Sequence, residues 1–335
     1  MIKEFNSSLD VTVVVPTHNR SKLIARALDS VRCQSRTAKE IIVVDDASTD
    51  DTAEIVSAWG KHYAFPVRVV KLLENSGPAI ARNRGIELAR TAYIAFLDSD
   101  DEHVPTTLGR LVATLEAFPD AVLSFSDASV AENGEIQEHD LLAPHLDLDR
   151  DAIQLHGDNP VLYRFVNAKS KLLRGSIIPT SATCFRRDAA LRAGGMPENL
   201  RSGEDWLFWL RLSQEGDFIF RLDDLAIHHR HDTNLTHPGQ AEFTARQTIK
   251  ARLQLLMGKE TVLLTDGQRD KVEKQLMENL SCWRYHLSLL GIKAYFKGLK
   301  QFSADYPALL IKPHPLIDLK SLARAAYYSF RSMTR

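Results

Sequence analysis

Three aspartates follow an apolar run in the sequence: Asp98, Asp100 and Asp101 come after residues 93–97 (YIAFL). An uninterrupted apolar run is typical of a strand buried on both faces, and open α/β sheets bind ligands at the carboxyl ends of such strands. Carboxylates this close repel one another, and a divalent cation both relieves the repulsion and attracts a phosphate. The stretch therefore predicts a Mg²⁺ or Mn²⁺ site. The alternative is an acidic turn before the helix that Pro105 begins.

Two further acidic pairs stand at the ends of predicted elements, one after a strand and one at the start of a helix. Asp45 and Asp46 end the apolar run 41–44, and Glu204 and Asp205 begin a helix rich in Trp and Leu. A carboxylate at a strand end can accept hydrogen bonds from a nucleobase N–H or from ribose hydroxyls. A carboxylate beside aromatic side chains is partly desolvated, which raises its pKa and suits a general base for a hydroxyl. The structural alternative for Glu204 and Asp205 is that acidic first-turn residues stabilise a helix.

Strands and helices alternate regularly along the N-terminal part of the chain. The predicted strands are residues 11–16, 41–44, 67–70 and 93–97. The predicted helices between them run over 21–31, from a cap and first turn at 49–51 through 59, and over 78–90. Strands that alternate with helices through short links form a parallel, doubly wound sheet. The sequence therefore predicts an α/β fold in which the carboxylates share the carboxyl edge of the sheet.

The glycine signatures of common nucleotide-binding sheets are absent from this sequence. Residues 16–20 (PTHNR) follow the first strand where GxGxxG would stand, and GxxxxGK[ST] occurs nowhere. A diphosphate ligand would therefore need a metal rather than a glycine cradle. The PTHNR loop also argues against a nucleotidyltransferase, because that chemistry requires a glycine-rich loop with Lys and Arg at this point.

Four motifs, in this order and spacing, resemble those of family-2 inverting glycosyltransferases of the GT-A fold. They are VVVPTHNR, IIVVDDASTD, GPAIARNRG and YIAFLDSDD, and the resemblance extends over residues 10–235. It implies a GT-A-like, doubly wound, mostly parallel sheet, a nucleotide-diphospho-sugar donor with a uridine base, and Mn²⁺ or Mg²⁺. The implied reaction is inverting transfer of the sugar to a hydroxyl of a glycan or lipid-linked glycan in cell-surface polysaccharide synthesis. The alternative is a non-catalytic nucleotide-sugar sensor or scaffold on the same fold.

The resemblance also implies residue roles. Asp205 is expected to be the general base, with Glu204 supporting it, and Asp100 to be a metal ligand. His231 is expected to complete the metal site or to contact the diphosphate, whereas an exposed polar strand end is its alternative. Thr17 and Asp46 are expected at the base and Asp98 at the ribose; the full expected donor-binding set is Pro16, Thr17, Asn19, Asp46, Arg82, Asn83, Asp98 and Ser99. Without the resemblance, Arg82 and Asn83 indicate an exposed helix face.

The second half of residues 10–235 gives weaker signals than the first. Residues 121–125 predict a strand, and residues 127–160 are polar and irregular, with Asn133-Gly134 as a hairpin turn and residues 139–151 as a mobile flap. Residues 177–187 predict a strand, followed by a short helix that Gly194-Gly195 ends. Residues 226–231 predict a strand, in which His228 and His229 are expected to be structural.

Composition excludes several classes of protein. A net charge of −1 gives no general signature of nucleic-acid binding, so no nucleic-acid partner is expected. Cys33, Cys184 and Cys282 form no CxxC pair, which argues against a disulfide framework and a thiolate metal site. The N-terminus lacks a signal-peptide core, and no run is long enough to span a membrane. The expected location is the cytoplasm, with the inner face of the membrane as the open possibility.

The C-terminal region differs from the domain before it. We expect a glycosyltransferase domain over residues 1–238 and a helical region over 239–335, with helices at 240–258, 267–290, 291–303 and 316–333. Residues 281–335 contain nine Lys/Arg and two Asp/Glu. In the third helix, Ile292, Tyr295, Phe296 and Leu299 are predicted to share a face opposite three lysines. Such a helix could dock on an anionic membrane, or it could pack on the catalytic domain or a partner. The oligomeric state is left open.

Overall fold

A computed structural model describes residues 8–143, 146, 148, 152–155, 161–232, 234, 237–305 and 319–333. The chain divides into two compact units. The first comprises Met1–Asp232 with Glu260–Leu263, and the second comprises Thr233–Lys259 with Leu264–Arg335. The structural boundary therefore falls a few residues before the position expected from the sequence. Each unit has its own hydrophobic core.

The first unit is built on four parallel strands that all correspond to predicted ones. They are β1 (Leu9–Thr17), β2 (Ala38–Asp45), β3 (Val67–Lys71) and β4 (Tyr93–Phe96), in the order β3-β2-β1-β4. Between them lie α1 (Ile24–Arg32), α2 (Thr52–Tyr63) and α3 (Pro78–Leu88). Because Thr17 pairs with Asp45 and Val14 pairs with Phe96, the loops that follow β1, β2 and β4 leave the same edge of the sheet. The predicted doubly wound α/β fold is confirmed.

The sheet continues beyond β4 with mixed strand directions. The further elements are β5 (Glu102–His103), α4 (Thr107–Ala117), β6 (Ala121–Glu132), β7 (Glu135–Glu138), β8 (Ile153–Leu155), β9 (Leu162–Phe165), α5 (Ala168–Leu172), β10 (Thr183–Arg186), α6 (Arg187–Arg192), α7 (Glu204–Leu212) and β11 (Asp217–Arg230). Strand β10 is antiparallel to both β4 and β6, and β6 is parallel to β11. Strand β5 adds to β11. This last pairing places the residues after β4 beside the end of β11.

Three strand predictions differ from the structure in extent. The irregular region predicted over residues 127–160 is wrong for residues 127–132, which continue β6, and for the short strands β7 and β8. Asp127 can lie buried in β6 because its carboxylate accepts hydrogen bonds from the N–H groups of Leu142 and Ala143. The strand predicted over 177–187 is limited to β10, since Thr180–Ala182 form a 3-10 turn. The strand predicted over 226–231 corresponds to the last part of β11, which ends at Arg230. The part of β11 before residue 226 was not predicted, because the charged Arg221 interrupts its apolar pattern. In the structure this buried arginine bonds to the nearby Asp223.

The predicted turns are confirmed where the structure describes them. Asn133 (φ 54°) and Gly134 (φ 85°) join β6 to β7 in left-handed conformations, which suits a tight hairpin turn. Gly194 (φ 77°) and Gly195 (φ 65°) end α6. Six of the thirteen residues of the flap predicted over 139–151 lie outside the described residues.

The second unit is helical, as predicted. Its described helices are α8 (Ala241–Leu256), α9 (Asp266–Leu289), α10 (Ile292–Asp305) and α11 (Leu319–Met333). Thr265 begins α9 with a capping box, in which its side chain and that of Gln268 bond to each other's backbone N–H. Trp283, Tyr295 and Phe302 lie in the core of this unit. Across the described ranges, we find no helix that combines the length and the apolarity needed to cross a bilayer.

Candidate active site

Arg82 joins two distant parts of the first unit. It lies in α3 and is only 6% exposed. Its Nη2 donates to Asp98 Oδ1 at 2.7 Å, and its Nη1 donates to Glu204 Oε1 at 2.9 Å. Asp98 follows β4, and Glu204 is the first residue of α7. For Arg82 the alternative of an exposed helix face is therefore wrong, because this buried guanidinium neutralises the buried Glu204 and the half-buried Asp98.

The acidic pair at the start of α7 is partly removed from water. Burial raises the pKa of Glu204 to about 7, although the Arg82 guanidinium opposes the shift. Glu204 Oε2 is buried and has no hydrogen-bond partner among the described residues. Burial also raises the pKa of Asp205, whose Oδ2 accepts a hydrogen bond from Ser176 Oγ at 3.1 Å. A carboxylate with a raised pKa is suited to accept a proton near neutral pH.

Each of the consecutive acids after Ser99 contacts a histidine of the β11 region, which the sequence did not reveal. Because β5 pairs with β11, residues 100–102 lie beside residues 228–231. The contacts are His231 Nε2 to Asp100 Oδ2 at 3.1 Å, His228 Nδ1 to Asp101 Oδ1 at 3.1 Å, and His229 Nε2 to Glu102 Oε1 at 2.7 Å. His231, the expected metal ligand, is therefore beside Asp100.

The surroundings of Asp100 fit a divalent cation. Burial raises its pKa, and the carboxylates of Asp101 and Asp98 raise it further, so negative charge accumulates there. Arg20 Nε, 3.5 Å from Asp100 Oδ2, supplies part of the compensating charge. A carboxylate oxygen and an imidazole nitrogen are ligands that Mn²⁺ accepts, and Mg²⁺ accepts the carboxylate. Asp100 and His231 are therefore a pair of residues that could hold such an ion, and their role as metal ligands stays a prediction.

A second group of carboxylates lies elsewhere in the first unit. One oxygen from each of Asp127, Asp140 and Asp224 falls within 4.8 Å of the others, which is close enough for a shared cation. The protein's own groups already bond to two of them, since Asp224 Oδ2 accepts from Ser129 Oγ and contacts His139 Nδ1. Asp127 is the second, since its carboxylate accepts hydrogen bonds from the N–H groups of Leu142 and Ala143. The sequence missed this group because residues 127–160 were predicted to be irregular.

The expected donor-binding residues near β1 and β2 are brought together. Thr17 is buried, and its Oγ1 has no hydrogen-bond partner among the described residues, so the hydroxyl could bond to a ligand. Asn19 Oδ1 accepts the Thr49 N–H at 2.8 Å, which ties the two loops together. Pro16 and Ser99 are also buried. Contact of these residues with a donor stays a prediction.

Asp46 is already bonded to the protein through both carboxylate oxygens. Oδ1 accepts the Ser76 N–H at 2.7 Å, and Oδ2 accepts the Gly77 N–H at 2.8 Å. These amides precede Pro78, the first residue of α3. Asp46 therefore holds the start of the helix that contains Arg82, and its predicted contact with a base remains a prediction.

Asn83 links α3 to the loop after α6. Its Oδ1 accepts the Met196 N–H at 2.8 Å, and its Nδ2 donates to the Met196 carbonyl oxygen at 2.9 Å. Both polar atoms of the Asn83 side chain thus bond to the Met196 backbone. A contact between Asn83 and a donor stays a prediction. The observed bonds fix the chain before α7, whose first residues are Glu204 and Asp205.

We expect Gly195→Ala to destabilise the protein more than Gly194→Ala. Both glycines have positive φ, so each substitution costs about 1 kcal/mol for the left-handed backbone. At Gly195 a Cβ would also lie 2.6 Å from Asn83 Oδ1, whereas at Gly194 it would meet nothing within 4 Å. The steric conflict should add about 1–3 kcal/mol in urea denaturation. Equal losses in the two variants would contradict the importance of the Asn83 contact.

Sequence reasoning missed further residues of the site. Ser181 Oγ accepts the Asp98 N–H at 3.1 Å and donates to Asp101 Oδ2 at 2.6 Å, so this side chain orients the acidic loop. Arg20 and Ser176, described above, were likewise not predicted to contact Asp100 and Asp205. Arg20 could have been found from the sequence, because it belongs to the PTHNR motif after β1. Ser176 and Ser181 gave no such signal, because they lie in or next to a stretch that was predicted to be a strand.

Solved structures share this architecture. Staphylococcus aureus TarS 1–349 in complex with UDP-GlcNAc has a TM-score of 0.58 and 19% identity, covering 84% of this chain and 80% of that one. The mannosyltransferase PcManGT from Pyrobaculum calidifontis, in complex with GDP-Man and Mn²⁺, also has a TM-score of 0.58 and 19% identity. That match covers 98% of this chain and 87% of PcManGT. At these identities the likeness shows the fold alone, which is the GT-A-like fold of glycosyltransferases.

The sequence comparison defines the family. The glycosyl transferase family 2 model matches residues 12–192, which is more than half of the chain, and the chain therefore belongs to this family. Its relatives include TuaG of Bacillus subtilis, a glycosyltransferase provisionally assigned to teichuronic acid biosynthesis, at 30% identity over 66% of this chain and 78% of TuaG. The uncharacterized glycosyltransferase YibD of Escherichia coli is 37% identical over 39% of this chain. The match spans 38% of the length of YibD. The family predicted from the four motifs is confirmed.

Proposed function

We propose that this chain transfers a sugar from a UDP-linked donor to a hydroxyl of a glycan or lipid-linked glycan, with inversion at the anomeric carbon. The observation that carries the proposal is the Arg82 bridge, because it draws Asp98 and the pair Glu204-Asp205 together at one edge of the sheet. A role in cell-surface polysaccharide synthesis is supported by TuaG and by the succinoglycan biosynthesis protein ExoO of Rhizobium meliloti, 42% identical over 32% of this chain and 30% of ExoO. The cytoplasm is the proposed location.

Asp205 is the proposed general base. Its carboxylate accepts the proton of the acceptor hydroxyl while the new oxygen–carbon bond forms at the anomeric carbon. The bond to the diphosphate breaks on the opposite face, and its electron pair leaves with the nucleoside diphosphate, so the configuration inverts. Glu204 supports Asp205, and Arg82 neutralises Glu204 and Asp98. The protein otherwise contributes by positioning the two reactants.

The proposed donor contacts follow the sheet edge. Thr17 and Asp46 lie beside the base, and Asp98 accepts hydrogen bonds from the ribose hydroxyls. Asp100 and His231 would hold Mn²⁺ or Mg²⁺, and the bound ion would stabilise the negative charge of the departing diphosphate. The GDP-Man and Mn²⁺ present in the PcManGT structure support the choice of ion and of donor class.

A panel of nucleotide-sugars tests the proposal. We expect one UDP-sugar to raise the melting temperature in the presence of Mn²⁺, and the same donor to give a glycosylated product of inverted configuration by NMR. A donor that binds but is never transferred to any glycan or lipid-linked acceptor would favour the non-catalytic sensor instead. The presence of acids at both Asp100 and Asp205 supports the enzyme.

We expect Asp100→Ala to lose the metal dependence of donor binding. The substitution removes the carboxylate that is proposed to hold the ion, so isothermal titration calorimetry should give the same weak donor affinity with and without Mn²⁺. The matched variant is Asp140→Asn, which removes a carboxylate from the other acidic group at an exposed position with φ 53°, where asparagine is tolerated. Metal dependence that survives in Asp100→Ala but disappears in Asp140→Asn would place the ion in that other group.

A further inference from the structure

Helix α10 has a buried apolar face and an exposed basic face. Tyr295, Leu299 and Phe302 are buried in the core of the second unit. The exposed residues Lys293, Phe296, Lys297 and Lys300 are spaced by three, four and seven positions, so they form one stripe along the helix. Phe296 was predicted to share a face with Tyr295 and Leu299, but the structure separates them, since Tyr295 and Leu299 are buried and the Phe296 ring is 46% exposed. We call these four exposed residues the basic stripe.

Two further large apolar side chains of the second unit are exposed in and just after α9. Leu290, two residues before α10 begins, is 61% exposed, and Tyr285 is 45% exposed. The turn between α9 and α10 is held firmly, since Ser329 Oγ accepts the Ile292 N–H at 2.7 Å. The Arg324 guanidinium lies 4.4 Å from the centre of the Tyr285 ring. These contacts connect α9, α10 and α11, the helices that carry or adjoin the exposed apolar side chains.

The charged residues of the basic stripe are all of one sign. Residues 281–304 contain four Lys/Arg and no Asp/Glu, and residues 319–333 contain three Lys/Arg and no Asp/Glu. Lys293 and Lys297 are an i, i+4 pair, and Lys297 and Lys300 are an i, i+3 pair, so like charges repel along the basic stripe. An anionic surface would offset this repulsion, and Phe296 between the lysines would remove its apolar area from water.

We propose that the basic stripe, together with the exposed Leu290 three residues before it in the chain, docks on the surface of an anionic lipid bilayer. Lysines meet the charged headgroups, while Phe296 and Leu290 enter the boundary between headgroups and acyl chains. An exposed aromatic ring set among lysines on one helix face fits a lipid surface, because such a surface offers anionic headgroups and apolar acyl chains side by side. This inference goes beyond the proposed function, because it requires neither donor nor transfer.

Vesicle co-sedimentation of the full chain, without donor or metal, tests the proposal. We expect binding to vesicles of phosphatidylcholine and phosphatidylglycerol in equimolar mixture, little binding to phosphatidylcholine alone, and weaker binding as salt increases. The triple variant Lys293→Gln, Lys297→Gln and Lys300→Gln should bind about a hundredfold more weakly, since each basic residue near such a surface strengthens binding about fivefold. Phe296→Ser should also weaken binding, while leaving the salt dependence as it is in the parent.

The matched control removes lysines from another part of the same unit. Lys271 and Lys274 are exposed on α9, and the double variant Lys271→Gln, Lys274→Gln should bind vesicles like the parent. Circular dichroism of each variant verifies that the helices are intact. Equal binding to both kinds of vesicle, or parent-like binding by the triple variant, would overturn the proposal. So would a concentration-dependent dimer that Phe296→Ser abolishes while no vesicle binding is detected, since the stripe would then be an interface between copies.

Discussion

Asp205→Asn is expected to reduce sugar transfer by about a hundredfold or more, because that is the usual contribution of a general base. The amide is close in size to the carboxylate and can still accept the hydrogen bond from Ser176, so the donor affinity should be kept. The loss should therefore appear in kcat and not in the KM for the donor. Single-turnover measurements at saturating donor would separate the chemical step from product release.

The pH dependence gives a second readout for the same variant. Burial raises the pKa of both Asp205 and Glu204, the latter to about 7. A base must be deprotonated to act, so activity of the parent should fall as pH decreases through these raised values. In Asp205→Asn the residual activity should no longer follow the Asp205 titration.

A matched control for this variant is available in the same unit. Asp188 stands in the first turn of α6 as Asp205 stands in the first turn of α7, but Asp188 is exposed and paired with Arg192. Asp188→Asn should leave kcat unchanged. Near-normal turnover in Asp205→Asn, together with an unchanged pH profile, would remove Asp205 from the role of base.

Arg82→Leu is expected to destabilise the first unit by about 3–5 kcal/mol at neutral pH, because it leaves buried carboxylates without their cation. Both Asp98 and Glu204 lose a hydrogen bond of less than 3 Å to this guanidinium. Urea denaturation monitored by tryptophan fluorescence would measure the loss. Arg84→Leu is the control, since Arg84 lies two positions further along α3, is exposed and pairs only locally with Glu87 among the described residues.

The sign of the pH effect in Arg82→Leu follows from Glu204. Its pKa in the folded protein lies above the ordinary 4.5, so its contribution to stability is greatest at acidic pH and is lost as pH rises through about 7. Removing the arginine raises the pKa of Glu204 further, because the opposing positive charge is gone. The stability deficit should therefore be smaller at about pH 5 than at about pH 8. A deficit independent of pH, or a deficit equal to that of Arg84→Leu, would contradict this account.

Local patterns in the sequence were sufficient for the outline of the protein. The alternation of apolar runs with amphipathic stretches predicted β1 to β4 and the helices between them, because each element depends on neighbours in the chain. The position of acids directly after β2 and β4 followed from the same reasoning, since parallel strands share their carboxyl edge. The four C-terminal helices were also predictable, because their period and the caps around residues 265–268 are local.

The tertiary structure alone decided which side chains meet. Arg82 and Asn83 looked like an exposed helix face, but the packing of α3 directs one to Glu204 and the other to Met196, both more than a hundred residues away. The pairing of three consecutive acids with three histidines depended on the contact between β5 and β11. A residue's sequence neighbours determine its periodicity, whereas its buried partners are determined by how distant elements pack. For this reason the sequence by itself determined the family, the strands β1 to β4 and the acids at their carboxyl edge. Only the fold decided which arginine and histidine side chains lie beside those acids.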